Sequence, residues 1–238
     1  MRIWIVTPTY NERAGIGAHL ESLRHEMPTA EILVVDDSSP DGTATFVQQL
    51  AAKDPNIHLL VRQKKEGLGA AYVHGLRVAL ERGAEIVVHL DADGSHPTEL
   101  IPAMVRALDQ FDLILGSRYV PGGSMRIDPF RRIISASGNA YIRLLLGRSI
   151  HDWSTGFKAW RADMLQQVLA APSMATGYAW LMEANWVAVS LGARVHELPL
   201  VFRARGVGSS KFTWSIAIED LKIAWRLHRR GLVQRPPT

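Results

Sequence analysis

Five short apolar runs alternate with helical patterns through the first half of the chain, and this alternation restricts the fold more than any other feature. The runs are Ile3–Thr7, Ile32–Asp36, Ile57–Val61, Glu85–Leu90 and Leu113–Gly116, with helical patterns over 13–26, 42–53, 67–82 and 97–109. Strands and helices of these lengths in alternation form βαβ units around a parallel sheet. The runs are apolar throughout rather than every second residue, as expected of a sheet covered on both faces. The expected fold is therefore α/β, a mostly parallel sheet flanked by helices. Ligands of such sheets sit at the carboxyl ends of the strands. Here those ends carry Pro8-Thr9-Tyr10-Asn11-Glu12, Asp36-Asp37 and Asp91-Ala92-Asp93.

The second half reads differently. Segment 129–147 predicts an amphipathic helix, with Phe130, Ile133, Ile134, Tyr141, Leu144 and Leu145 on one side. Arg131, Arg132, Ser135, Asn139 and Arg143 lie on the other. A helix over 178–192 and a strand over 194–202, broken by Pro199, follow. The last helix, 213–230, is apolar on two sides: Trp214, Ile218, Leu221 and Trp225 on one, Ile216, Ile223 and Leu227 on the other. Such a helix wants two apolar neighbours, the domain and either lipid or a partner. The expected division is a catalytic domain over 1–212 and a basic amphipathic helix and tail over 213–238.

Charge follows the same division. Residues 1–202 carry 19 Lys and Arg against 21 Asp and Glu, whereas 203–238 carry 8 against 2. A basic tail suits an anionic surface or a phosphate-bearing partner. No leader peptide is read at the N-terminus, and no stretch has the ~20 apolar residues of a spanning helix. Membrane contact is therefore expected to be peripheral. The chain has no cysteine, which excludes disulfides, thiolate metal sites and thiol nucleophiles. The sequence has no Gly-x-Ser-x-Gly elbow and no HExxH helix, against serine hydrolase and zinc protease chemistry.

Asp91-Ala92-Asp93 leaves a strand as two carboxylates at spacing two, a pattern that can face one cation. Hard oxygen donors of this kind suit Mg²⁺ or Mn²⁺, which in turn hold a diphosphate. Asp37, at the second strand end, can accept N–H groups from a nucleobase edge. Asp41-Gly42-Thr43 reads as a turn and helix cap. Lys64-Lys65-Glu66-Gly67-Leu68-Gly69 reads as a helix-start loop and lacks the Gly-Lys-Ser/Thr of a Walker A motif. His96 is expected beside the acidic pair in a supporting role.

Together these blocks resemble family-2 nucleotide-sugar glycosyltransferases of the GT-A fold. They are most similar to dolichol-phosphate or polyprenol-phosphate mannosyltransferases. Seven ordered blocks carry the likeness: 6–12, 34–43, 67–72, 91–97, Gly-Ser-Arg-Tyr at 116–119, Asp-Trp-Ser-Thr-Gly-Phe-Lys at 152–158 and Arg-Gly-Val-Gly-Ser-Ser-Lys at 205–211. The chain departs from that pattern at Gly94, where Leu is commoner, and at Val207-Gly208-Ser209, where the family usually has Tyr-Gly-Glu.

The resemblance implies roles. Pro8, Tyr10 and Glu12 would line the nucleotide pocket, with Val35 and Asp37 at the base. Asp91, Ala92 and Asp93 would meet the sugar diphosphate; Asp91, Asp93 and Ser95 would hold Mg²⁺ or Mn²⁺. Arg118 would contact a phosphate and, with Asp93, serve catalysis. Arg205 and Lys211 would close over the diphosphate from a mobile loop at 203–212. Arg131 and Ser135 would hold the lipid phosphate. The implied reaction is inverting transfer of mannose from GDP-mannose to a polyprenyl or dolichyl monophosphate, giving a β-linked product. The alternative is the same acceptor with another nucleotide sugar, such as UDP-glucose. The implied place of work is the cytoplasmic face of a membrane, held by helix 213–230 together with the apolar side of helix 129–147, with or without a separate membrane-anchoring protein. Nucleic acid is not an expected partner, because the tail lacks an aromatic stacking platform and the acidic mouth repels phosphates.

Overall fold

The computed structural model describes residues 1–203 and 214–231. The first half runs β1 (Ile3–Thr9), α1 (Ile16–Glu26), β2 (Glu31–Asp36), α2 (Thr43–Ala51), β3 (Ile57–Val61), α3 (Leu68–Glu81) and β4 (Ile86–His89). A 3₁₀ turn then leads into α4 (Ile101–Ala107), followed by β5 (Leu113–Ser117), β6 (Ser124–Arg126) and α5 (Pro129–Leu146). The remainder is β7 (Lys158–Arg161), α6 (Ala162–Ala170), α7 (Ala179–Ser190), β8 (Val195–Pro199), β9 (Val201–Arg203) and α8 (Trp214–Arg230). All six expected strands and seven expected helices are present, the strand over 194–202 divided into β8 and β9; β3 keeps its expected bounds and the others move by at most four residues.

The main sheet has the order β3-β2-β1-β4-β7-β5-β8, and β6 pairs with β9 in a small second ribbon. Six of its strands are mutually parallel; β7 runs antiparallel between β4 and β5. Neither β6, β7 nor α6 is announced by the alternation of the first half. Within β7 the apolar run is interrupted by Lys158, which is wholly buried and donates from Nζ to the Leu181 carbonyl. Burial pushes its ammonium well below the usual lysine range, although Asp152 opposes the shift.

Successive strand residues feed two cores, because side chains alternate across a strand. Trp4, Val6, Leu33, Val35 and Val87 pack on one side with α3, α6, α7 and α8. Ile5, Ile32, Val34 and Val88 pack on the other with α1, α2 and α4. The covering of both faces explains the unbroken apolar character of the strands. Helix α7 is buried on every side, as its all-round apolar sequence requires.

Helices α5 and α8 behave differently. Asp128 caps α5, accepting from the Phe130 and Arg131 amides, and Pro129 occupies the first turn. Beyond its first turn the polar side of α5 turns inward at Ser135 and Asn139, while Arg131 and Arg132 stay exposed. Asn139 is buried, donating to the His151 carbonyl at 2.6 Å and accepting from the Trp153 amide at 3.2 Å. Phe130, Ile133 and Leu144 point outward and are 66%, 64% and 79% exposed. On α8, Ile223, Ala224 and Leu227 are buried against the domain, while Ile218 and Trp225 are about half exposed (49% and 48%). The two apolar sides expected of this helix thus part company, one inside and one outside. His228 ties α8 to the end of α5 through the Leu145 carbonyl, 2.7 Å away.

Buried Glu183 on α7 accepts from Ser173 Oγ, the Met174 amide and the Ala175 amide at 2.7, 2.8 and 3.1 Å. Removing it deprives the buried Ala175 amide and the Met174 amide of their carboxylate acceptor. Glu183→Ala is expected to lower the unfolding free energy by about 3 kcal/mol, measured by urea denaturation; a loss below about 0.5 kcal/mol would show that the 173–175 segment does not depend on this carboxylate.

Candidate functional site

The order of strand addition reverses at β1, with β2 and β3 laid down on one side and β4 on the other. Such switch points leave a crevice outside the strand ends. A cleft of about 290 Å³ opens there. Pro8, Tyr10 and Glu12 reach it from β1, Asp37 from β2, and Asp91, Ala92 and Asp93 from β4.

The loops after β1 and β2 are stitched together. The amides of Asn11, Glu12 and Arg13 donate to Ser39 Oγ, Thr43 Oγ1 and Asp41 Oδ2 at 2.9, 3.1 and 3.0 Å. Asp36, wholly buried, accepts from Thr9 Oγ1 and from the Ser39 amide. Asn11 and Ser38 take left-handed backbone angles, φ 59° and 53°. Side chains rarely adopt this conformation, so the cross-links hold both loops in a conformation of elevated energy. Asp41 accepts from its own loop at Thr43, as the turn reading expects.

Asp37 pairs with buried Arg62, Nη1 to Oδ1 at 2.7 Å, and Arg62 also binds Glu66 at 2.9 Å. Burial raises the Asp37 pKa and Arg62 offsets part of the rise. Lys65 places its ammonium over the Tyr10 ring, 3.9 Å from the centroid. Lys65 belongs to the block read as a helix-start loop, whereas Arg62 is not marked by the sequence reading; a cation at the end of β3, facing an acidic β2 end, is its signal.

Asp91 is held from two directions. Tyr72 Oη donates to its Oδ1 at 2.6 Å, and its amide donates to His96 Nδ1 at 3.2 Å. Burial lowers the His96 pKa against the pull of Asp91 and Asp93, which suits a neutral acceptor. Asp93 Oδ1 accepts from the Ser95 amide at 3.0 Å. Ser95 Oγ is buried and has no hydrogen-bond partner among the described residues. Two carboxylates and an unsatisfied hydroxyl are hard oxygen donors. No set of three His, Cys, Asp or Glu converges on a metal-sized site among the described residues. That donor set fits Mg²⁺ or Mn²⁺, which take one or two carboxylates and complete their shell with water and phosphate oxygens.

The far wall comes from distant segments. Gly67 and Gly69 allow the backbone of 176–177 to press on the start of α3: a Cβ at Gly69 would stand 2.5 Å from Trp180 Cβ and 2.6 Å from the Gly177 carbonyl. The Ala70 amide donates to the Thr176 carbonyl at 2.9 Å. These glycines therefore serve a helix start and a close backbone approach. Tyr178 and Glu219 complete that wall.

Other expected residues lie elsewhere. Val35 is wholly buried in the core. Arg118 is locked to buried Asp152, with Nε and Nη2 at 2.7 and 2.6 Å, and also reaches Ser154 at 2.9 Å. Burial opposes its charge, but Asp152 outweighs that and keeps it cationic. Glu197 fixes Asp152 by accepting its amide at 2.9 Å. Ser135 shares a 2.8 Å hydrogen bond with Tyr119, and Arg131 is exposed on α5. Arg205, Lys211 and most of the loop at 203–212 lie outside the described residues.

The model of the family described as Glycosyl transferase family 2 matches residues 4–169. An undecaprenyl-phosphate mannosyltransferase of Micrococcus luteus is 41% identical over 220 residues, spanning 92% of this chain and 90% of that protein. A polyprenol monophosphomannose synthase of Mycolicibacterium smegmatis is 40% identical over 243 residues, 98% and 92% of the two chains. Among solved structures, a mannosyltransferase of Pyrobaculum calidifontis in complex with GDP-Man and Mn²⁺ superposes with a TM-score of 0.64 at 20% identity. The match covers 99% of this chain and 66% of that one, and it places the fold in the GT-A class.

Beside Glu219 on α8, Asp220 is largely buried, with one oxygen unpartnered among the described residues. Burial, and then Glu219, raises its pKa from 3.8 to about 7. A raised acid binds its proton more tightly when folded, so its contribution to stability falls as pH rises through that window. Asp220→Asn is expected to stabilise the protein relative to wild type at pH 8 and to make no difference below pH 4. Denaturant midpoints at the two pH values check this; equal midpoints at pH 8 would contradict the burial.

Proposed function

Because the chain belongs to glycosyl transferase family 2, we propose that it transfers mannose from GDP-mannose to a polyprenyl monophosphate, inverting the anomeric carbon to give a β-mannosyl phosphate lipid. The observation that carries this reading is the switch-point cleft, where Asp91 and Asp93 from β4 face Asp37 and Tyr10 from the neighbouring strand ends. Relatives of about 40% identity along nearly their whole length support the sugar and the acceptor class.

Each residue has work in this reaction. Asp37, braced by Arg62, accepts from the nucleobase, and Tyr10 and Pro8 flank it, with Glu12 close by. Val35 supports the floor from the core. Ala92 allows the diphosphate to lie close between the carboxylates of Asp91 and Asp93, which with Ser95 hold the metal. Bound Mg²⁺ or Mn²⁺ supplies charge that stabilises the departing nucleoside diphosphate. Arg118, preset by Asp152, directs its remaining guanidinium edge at a phosphate, and Arg205 and Lys211 cover the diphosphate. The acceptor phosphomonoester has a second pKa near ~6 and is already a nucleophilic anion at neutral pH, so no strong base is required. Arg131 and Ser135 hold that phosphate.

The acceptor's isoprenoid tail stays in lipid, so the enzyme works at a membrane surface, on the cytoplasmic side where nucleotide sugars are supplied. No described helix is long and apolar enough to cross a membrane. Outward-facing Phe130, Ile133 and Leu144 of α5 and Ile218 and Trp225 of α8 supply apolar area, with Lys222, Arg226 and Arg229 beside them. Interfacial helices combine these features, each basic residue adding ~1 kcal/mol at an anionic surface.

Labelled GDP-mannose, Mg²⁺ and short polyprenyl phosphates are expected to give labelled lipid, and Asp93→Asn to lower the rate at least ~10²-fold with an unchanged melting temperature. Full activity in excess EDTA would refute the metal role, and faster transfer from UDP-glucose would reassign the donor. Ile133→Glu with Leu144→Glu is expected to abolish co-sedimentation with anionic liposomes at low salt. Undiminished binding would place the membrane contact elsewhere.

A further inference from the structure

We propose that Tyr119 is a positioning residue for the acceptor: its hydroxyl sets the Ser135 hydroxyl on α5, so that Ser135, Arg131 and Arg118 address one phosphate. The proposal rests on the reading of Arg131 and Ser135 as the holders of the lipid phosphate. Tyr119 follows Arg118 just beyond the end of β5. Its ring centroid lies 5.4 Å from the Arg118 guanidinium carbon, within the ~6 Å reach of a cation–π contact. Its hydroxyl meets Ser135 Oγ at 2.8 Å. One side chain therefore touches a group from each of the two elements. Arg131, Ser135 and Asn139 follow one another at four-residue steps and form one stripe on α5. The stripe runs from solvent inward: Arg131 is exposed, Ser135 half-buried and Asn139 buried. Its inner end is already tied to the support of Arg118. Asn139 bonds the His151 carbonyl and the Trp153 amide, on either side of Asp152, and Asp152 grips the Arg118 guanidinium at 2.6 and 2.7 Å. Tyr119 supplies a second tie one turn nearer solvent. Two ties on one stripe fix the rotation of the helix as well as its distance, and Arg131 is the next residue out.

Hydrogen-bond chemistry gives the second tie a consequence. A phenol and a serine hydroxyl each carry one proton and can each accept. A phosphate dianion offers only accepting oxygens. It therefore selects the arrangement in which Tyr119 donates to Ser135 and Ser135 donates to the phosphate. A hydroxyl donating to an anion makes one of the stronger hydrogen bonds. Without the phenol, a serine inside a helix has the carbonyl four residues back as its alternative partner, which turns its proton away from a ligand.

The test uses the full chain with GDP-mannose, Mg²⁺ and a short polyprenyl phosphate, with GDP affinity measured separately by calorimetry. Tyr119→Phe keeps the ring against Arg118 and removes only the hydroxyl. It is expected to raise the acceptor KM about tenfold, with less effect on kcat and none on GDP affinity or melting temperature. Ser135→Ala is expected to raise the acceptor KM at least as much, and Tyr119→Phe in that background to add nothing. An unchanged acceptor KM in Tyr119→Phe beside a raised one in Ser135→Ala, or losses that multiply in the double variant, would overturn the proposal while leaving the acceptor site standing. A matching loss of GDP affinity in Tyr119→Phe would overturn it by moving the effect to the donor. A Tyr119→Phe chain that fails to fold would overturn it too, since the hydroxyl would then hold the fold rather than the acceptor. An acceptor KM that neither Ser135→Ala nor Arg131→Ala changes would overturn the acceptor-site reading, and the proposal with it.

Discussion

A parallel sheet buried on both faces leaves one place for polar chemistry, the carboxyl ends of its strands. Everything at the cleft follows from that constraint. The strand interiors are committed to two cores, with Trp4 and Val6 on one side and Ile5 on the other. Charged ligand-binding groups gather where the strands stop, and the reversal of strand order at β1 brings three such ends together. Among the described residues, five carboxylates line one cleft with a single lysine. An acidic concentration of that kind is costly unless partners or a cation relieve it. Arg62 relieves Asp37, and Tyr72 donates to Asp91, both from buried positions.

The outer helices obey the opposite economy. A soluble domain normally turns the apolar side of a helix inward. Helix α5 instead buries Asn139 and ties Ser135 to Tyr119, while Phe130, Ile133 and Leu144 face out. Asn139 and Ser135 are each satisfied by specific hydrogen bonds, so their inward placement is built rather than accidental. Large exposed apolar patches mark interaction surfaces. A groove of about 270 Å³ between Tyr141 of α5 and Ile218, Leu221 and Trp225 of α8 continues that surface.

Much of this was legible in the sequence because period and placement are local properties. The unbroken apolar runs mark doubly covered strands, and acidic residues directly after three of them mark the cleft. The wheel of α5 correctly separates its apolar and polar sides. What a wheel cannot tell is which side faces the protein, since that depends on partners such as His151 and Trp153 that are 12 and 14 residues away from Asn139. Strand β7 was hidden for a related reason. Its lysine looks like a surface residue until Leu181, 23 residues on, supplies a carbonyl in the core. The brace of Arg62 on Asp37 spans 25 residues and depends on β2 and β3 lying side by side. Sequence shows the groups that meet a ligand more readily than the groups that hold them.

Helix α8 joins the two regions. Ile218, Glu219 and Asp220 are consecutive, yet they face three environments: the outer apolar surface, the cleft wall and the interior. At 100° per residue a helix presents neighbouring side chains to different quarters, so one turn can touch all three. The Glu219 carboxylate abuts Gly177, where an added Cβ would stand 3.2 Å from it, and Gly177 belongs to the segment that presses on the start of α3. Glu183 holds the other end of that segment through Ser173, Met174 and Ala175. A rigid chain of contacts therefore runs from the outward face of α8 through the cleft wall into the buried helix α7. On the proposed reaction the lipid-borne acceptor arrives at the first of these and the nucleotide sugar at the second, so the helix proposed to meet the membrane is also a wall of the cleft.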